Sequence, residues 1–228
     1  MTAYLQLPRL ADEAGLRTIA PDGTTGPEGL RFWNATPSCC DFGHSGVDDV
    51  AYLTGLIREI SREWNVDPKR VYVIGQSNGG FMGYRLACEH AELIAGVVSM
   101  AGAMPMDSSV CHPGEPVSVL QIHGDADQRI PYNGGTNFRG FAQPGALDDV
   151  RMWSEYGHCS GMLAPGGEDV DLERSLPGAE TVRQHDPGCL RGVDVALWTI
   201  RGGGHIPGIT DSFRSIVWEW MRAHPKPG

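Results

Sequence analysis

The chain has 228 residues and carries 28 acidic against 18 basic side chains, a formal net charge of −10 with histidine counted neutral. That length suits a single domain with a sizeable core, and an apolar share of 41% argues against a disordered or fibrous chain. The few basic residues are scattered, which excludes the clustered charge of a nucleic-acid binder, and no apolar run reaches the length of a membrane span.

In chain order, Arg17–Ala20 ends at the turn signal Pro21-Asp22-Gly23 and reads as a short strand. From Asp48, apolar residues at Val50, Leu53, Leu56, Ile57, Ile60 and Trp64 follow helical spacing, with Asp48 and Asp49 suited to the helix start. Asp67-Pro68 closes that helix, and the continuous apolar run Val71–Ile74 predicts a strand buried on both faces. A helix is expected over Gly80–Glu89, a buried strand over Ile94–Met100, another over Val117–Ile122, and a helix over Leu147–Tyr156. Val193–Ile200 is a further strand, and Phe213, Ile216, Val217 and Trp220 mark a last helix that Asp211 or Ser212 can cap. Strands alternating with helices imply one α/β domain over residues 1–228, built on a mostly parallel sheet. In such sheets the working residues lie just past the carboxyl ends of strands.

Three loops fit that rule. Gly75-Gln76-Ser77-Asn78-Gly79 lies between a strand and a helix, the setting of a nucleophile elbow, where small neighbours allow a sharp turn that exposes the serine. The backbone N–H of Asn78 would then point toward a forming oxyanion. A hydroxyl needs a base to take its proton, and the base needs a partner to orient it. Asp125 and Asp127 follow the third strand in "IHGDADQRIPY", and His205 follows the fourth in "TIRGGGHIPG". Serine, aspartate, histidine is the chain order of α/β-hydrolase triads. Asp127 is preferred to Asp125 because two further residues let its carboxylate clear the strand end. Among the other histidines, His123 shares its loop with the acid and does not suit the base, and the remaining six lack a strand-end position. Tyr132, Asn133 and Ile206 are candidate substrate contacts.

Rival chemistries have less support. The glycine-rich turn lacks G-x-G-x-x-G and a P-loop lysine, so no nucleotide cofactor is expected. Asp48 and Asp49 diverge as helix neighbours and read as helix-start charges, not as an acid pair. No paired C-x-x-C or H-x-x-x-H spacing suggests a metal, so none is expected. The six cysteines, an even number, point to disulfides and an oxidising compartment. A Cys159–Cys189 bridge would staple the Gly/Pro-rich excursion at 159–189, contributing roughly 3–4 kcal/mol in the chain-entropy model. Cys39 and Cys40 are expected to bond to other cysteines, Cys88 and Cys111 being the candidates, and not to each other.

Together "PDG", "WNAT…CC", "VDDVAYL", "VDPKRVYVIGQSNGGFMGYRLACE", "AGAMP", "IHGDADQRIPYNGG" and "GGGH", in this order over nearly the whole chain, resemble the poly(3-hydroxybutyrate) depolymerase-like and feruloyl/acetylxylan-esterase-like serine hydrolases. The resemblance implies an α/β-hydrolase three-layer sandwich and exported ester hydrolysis, secreted or periplasmic, although MTAYLQLPRL itself shows no signal-peptide pattern. By position it assigns Ser77 as nucleophile, Asp127 as acid, His205 as base and Asn78 as an oxyanion donor. Position 125, Asp here, is commonly Thr in that family. Where the family often places an aromatic residue after the base, this chain has Ile206-Pro207.

The family also places further strands ahead of this sequence, one ending in a His-Gly-rich loop with a second oxyanion N–H; "AYLQLPRLADEAG" is similar to the helix after that loop. Without those strands the sheet edge at Val71–Ile74 would be exposed. The expectation is that Arg17–Ala20 moves in to pair with it, or that a second copy covers it as a homo-oligomer. The function expected is a serine carboxylic-ester hydrolase acting on a small or polymer-linked hydroxyalkanoate, feruloyl or acetyl ester. A non-catalytic hydrolase fold, or an acyltransferase using the same triad, is the alternative.

Overall fold

The structure, a computed structural model, describes residues 4–228. In chain order its elements are α1 (Leu7–Ala14), β1 (Thr24–Thr25), β2 (Arg31–Phe32), α2 (Asp49–Glu63), β3 (Tyr72–Gln76), α3 (Asn78–Glu89), β4 (Gly96–Met100), β5 (Ser118–Gly124), β6 (Gly135–Thr136), β7 (Ala142–Gln143), α4 (Ala146–Tyr156), β8 (Ala164–Pro165), β9 (Thr181–Asp186), β10 (Val195–Ile200) and α5 (Phe213–Ala223). Six strands form the central sheet in the order β3-β4-β5-β10-β9-β8. The first four run parallel, β9 joins β10 antiparallel, and β8 joins β9 antiparallel.

The sheet is the middle of three layers, and its strands explain their unbroken hydrophobicity. Successive side chains point to opposite faces, so Val97, Val119 and Leu197 enter one core with Phe81, Tyr84, Val150 and Trp153 of α3 and α4. Their neighbours Val98, Leu120 and Trp198 enter the other, with Phe213, Val217, Trp220 and Met221 of α5. Those four recur at helical spacing, and each large side chain buried adds about 1.5–3 kcal/mol. Asp48 caps α2 by accepting the Ala51 N–H at 2.9 Å, and Asp49 turns inward to accept the Asn34 N–H at 2.7 Å. Both are therefore helix-start carboxylates, as the spacing implies.

Four expectations are corrected. Arg17–Ala20 is not a strand: the segment is exposed, has no ladder partner, and stays apart from β3. A strand needs a neighbour to satisfy its backbone, which four residues beside a turn do not provide. The outer edge of β3 consequently carries no strand among the described residues. Cys39 and Cys40 bond to each other, because Cys88 and Cys111, with Cα atoms 4.9 Å apart, take one another. Cys159–Cys189 forms as expected, but the excursion it closes carries β8 and β9 and widens the sheet. Ser212 occupies the N-cap position of α5 without capping it: its hydroxyl pairs with Thr210 Oγ1 at 2.9 Å, and Asp211 makes no cap either.

Candidate active site

The elbow forms where β3 gives way to α3. Ser77 adopts φ 54° and ψ −120°, a strained turn that lifts its side chain clear of the sheet. Its own N–H is spent on the Met100 carbonyl at 2.7 Å, and its carbonyl accepts the Gly80 N–H at 2.8 Å. Gly75 is required here because a Cβ would lie 2.2 Å from the Gly79 carbonyl carbon. Asn78 is the first residue of α3, so its N–H has no intrahelical acceptor and faces outward with the positive end of the helix dipole. The Asn78 side chain clamps the preceding loop, accepting the Trp33 N–H at 2.7 Å and donating to the Trp33 carbonyl at 2.9 Å.

The other two loops meet the elbow. Gly124 ends β5 so closely against the His205 loop that a Cβ there would lie 2.2 Å from the Gly203 carbonyl oxygen. That approach brings Asp127 Oδ2 to 2.8 Å from His205 Nδ1, while His205 Nε2 stands 2.9 Å from Ser77 Oγ. Asp127 Oδ1 accepts the Arg129 and Ile130 N–H groups at 2.8 and 3.0 Å. Burial alone would raise the Asp127 pKa. Hydrogen bonds from His123, His205 and the Ile130 N–H, together with the charge of His205, outweigh burial and hold it well below the usual carboxylate range. Asp125 turns away and accepts the Gly202 N–H at 2.6 Å.

Some functional neighbours were not visible as such in the sequence. Gln76 Nε2 donates to the His205 carbonyl at 2.9 Å, tying the His205 loop to the residue before Ser77. Glu173, buried in the excursion, accepts the Gly208 and Ser175 N–H groups from the same loop region and its own turn. Its segment and residue 209 form a β-bridge, a long-range pairing that carries no local sequence signal.

The candidate substrate contacts separate. Ile206 is 62% exposed directly beyond His205. The Tyr132 hydroxyl is occupied by Thr199 Oγ1 at 2.7 Å, and burial pushes its pKa up. Asn133 lines a shallow cavity of about 460 Å³ with Gln143, Asp148 and Met106, which Ser77, Asp127 and His205 do not line. No group of three or more His, Cys, Asp or Glu side chains among the described residues is arranged to hold a metal.

Known proteins bear the same stamp. The phospholipase/carboxylesterase family matches residues 47–158. Feruloyl esterase B of Piromyces equi is 32% identical over 82% of this chain and 33% of its own length. NocK of Nocardia uniformis subsp. tsuyamanensis, an esterase by name, is 31% identical over 95% of this chain and 64% of its own.

The chain has the α/β-hydrolase fold and is similar in sequence to carboxylesterases and feruloyl esterases.

It spans about a third to two thirds of the length of these curated relatives. The fold is shared more widely: the crystal structure of Arabidopsis thaliana SOBER1 superposes with a TM-score of 0.60 at 16% identity, covering 97% of this chain and 91% of that one. Against that α/β-hydrolase frame, Ser77, Asp127 and His205 stand beyond the carboxyl ends of β3, β5 and β10.

Proposed function

We propose that this α/β-hydrolase is a serine esterase that cleaves carboxylic esters through an acyl-enzyme on Ser77. The observation that carries the reading is the unbroken line Asp127 Oδ2 to His205 Nδ1 at 2.8 Å and His205 Nε2 to Ser77 Oγ at 2.9 Å. With Nδ1–H given to Asp127, Nε2 is the bare nitrogen that can take the Ser77 proton. Ser77 Oγ attacks the ester carbonyl as His205 accepts that proton, and the oxyanion forms in front of the Asn78 N–H at the start of α3. His205 returns the proton to the departing alcohol. A water molecule then gives a proton to His205, attacks the acyl carbon and releases the acid, restoring Ser77. Asp127 stabilises the imidazolium in both halves.

The acyl group we assign is a feruloyl or acetyl unit on a small or polymer-linked alcohol, supported by the identity to feruloyl esterase B. The exposed Ile206 beyond His205 offers an apolar wall to such an acyl chain. Three disulfides among the described residues support an oxidising compartment, secreted or periplasmic. No described helix is long and apolar enough to cross a membrane.

The test is hydrolysis of p-nitrophenyl acetate and methyl ferulate beside Ser77→Ala, with free acid and any transfer product quantified. Turnover to free acid that falls about 10⁴–10⁶-fold in the variant supports the esterase. Equal rates from both folded proteins refute it and leave a non-catalytic hydrolase fold.

A further inference from the structure

Behind the Ser77–His205–Asp127 line runs a second buried hydrogen-bond chain that the reaction above does not use. It begins at Tyr84 on α3, whose hydroxyl donates to Gln121 Oε1 at 2.6 Å. Gln121 Nε2 donates to the Gly102 carbonyl at 2.9 Å and lies 3.0 Å from His123 Nδ1. An amide nitrogen only donates, so Nδ1 is the acceptor and the single proton of neutral His123 sits on Nε2. That N–H faces the Ile130 carbonyl at 2.9 Å and Asp127 Oδ2 at 3.2 Å. The side chains of His123 and Asp127 are 1% and 0% exposed, so water does not compete for either.

We propose that His123 is a positioning residue for ester hydrolysis: fixed as the Nε2–H tautomer by Gln121 and Tyr84, it holds Asp127 in line with His205. The proposal rests on the esterase reading of Ser77, Asp127 and His205.

Two effects follow from the geometry. The first is orientation. Both Asp127 oxygens are held, Oδ1 by two backbone N–H groups and Oδ2 between two imidazoles, so the carboxylate cannot rotate away from His205. His123 also grips the Ile130 carbonyl, and with it the loop that carries the acid.

The second effect is electrostatic. An Oδ2 shared between two N–H groups pulls less strongly on the imidazolium of His205 than an unshared one. The ionisable groups around Asp127 are His123 from β5, His205 beyond β10, Tyr132 with its ring edge-on to His123 at 5.6 Å, and Asp125, whose carboxylate faces Gly202.

The experiment uses the wild-type chain with Ser77→Ala, His123→Phe and His123→Gln, following kcat and KM for p-nitrophenyl acetate across pH. His123→Phe keeps the ring volume and removes the N–H. It is expected to lower kcat about 10–100-fold, as outer partners of catalytic groups typically do, and to move the acid limb of kcat/KM to higher pH. His123→Gln replaces the donor near Nε2 and is expected to stay within about threefold of wild type with an unmoved limb. A purely structural histidine would change the yield of folded protein and leave the limb in place.

A ¹⁵N-histidine spectrum of the wild-type chain, assigned by difference with His123→Gln, is expected to show His123 as Nε2–H. A folded His123→Phe with wild-type kcat and limb, or a His123 carrying its proton on Nδ1, overturns the proposal even if one variant fails to fold. A wild-type chain without Ser77-dependent turnover overturns the esterase reading and this one with it. An active wild type with either of the former results overturns this one alone.

Discussion

Replacing Asp127 by asparagine tests the assignment of the acid, and the structure fixes how the new amide must sit. Two backbone N–H groups, of Arg129 and Ile130, converge on Oδ1 and require an oxygen there. The amide NH₂ therefore takes the place of Oδ2, where it confronts the N–H groups of His205 and His123. His205 can relieve that conflict only by moving its proton to Nε2, which then donates to Ser77 Oγ and can no longer accept. A base held in the wrong tautomer costs about 10⁴-fold in kcat, about 5 kcal/mol of transition-state stabilisation at about 1.36 kcal/mol per decade. Asp125→Asn is the matched control. Its Oδ1 accepts a single N–H, from Gly202 at 2.6 Å, and an amide oxygen can take over that bond. Its kcat should stay within about threefold of wild type. Both variants would be assayed with p-nitrophenyl acetate, with circular dichroism to establish folding. A folded Asp127→Asn within tenfold of wild type, or equal losses in the two variants, would refute the reasoning.

Three further outcomes are expected. Asp149 is fully buried, which raises its pKa well above the ordinary value, and its Oδ2 has no hydrogen-bond partner among the described residues. A carboxyl raised in the folded state costs stability as pH climbs from about 4, so Asp149→Asn should raise Tm by a few degrees at pH 8 and little at pH 4. Equal shifts at both pH values in thermal melts would contradict this. Replacing Cys159 and Cys189 by serine opens a loop with a sequence separation of 30 and should cost roughly 3–4 kcal/mol, read by urea unfolding; an unchanged midpoint would show the excursion to be self-supporting. The uncovered outer edge of β3 should draw two copies together, so light scattering should show a concentration-dependent dimer, and a monomer at every concentration would dismiss that contact.

The inner parallel strands were legible because burial on both faces demands unbroken apolar runs, and 117–122 and 193–200 have no other comfortable home; 71–74 carries the same pattern, but as the edge strand β3 it is only half-buried, not buried on both faces as expected. The elbow was legible for a related reason: Gly75 and Ser77 stand where a buried strand stops, and only a sharp turn fits there. β9 was not legible. Its sequence TVRQHD mixes polar and apolar residues, and Arg183 is accommodated by laying its guanidinium over Trp198, 5.7 Å from the ring centroid, and by donating to the Glu168 carbonyl at 2.7 Å. Cys159–Cys189 was legible, whereas the partners of Cys39 and Cys40 were misjudged because distance in space, not spacing in sequence, decides them. His123 was set aside as the base because it shares a loop with the acid, and its contact with Asp127 was not legible because it depends on that loop returning to the end of its own strand.

His205, the proposed base, is held by parts of the chain remote from it in sequence. Gln76 grips its carbonyl, while the excursion closed by Cys159 and Cys189 grips the loop that follows. Arg174 N–H donates to the Gly208 carbonyl at 2.8 Å, Thr210 N–H to the Leu172 carbonyl at 3.0 Å, and the Glu173 carboxylate accepts from the Gly208 N–H. Tyr4 completes the hold by donating to the Pro207 carbonyl at 2.8 Å, with its pKa pushed up to about 12 by burial and by Glu173. Four such bonds at about 1 kcal/mol each are comparable to the disulfide itself. The excursion therefore supports the loop of His205 as much as it extends the sheet. Loosening it should let His205 drift from Ser77 before the parallel core opens, because that core is built on β3, β4, β5 and β10, and the excursion joins it only at the β10 edge, through β9. Activity in the Cys159 and Cys189 double variant should accordingly fail at lower urea than the far-ultraviolet signal, and coincident loss of the two would place the base loop under the control of the core alone.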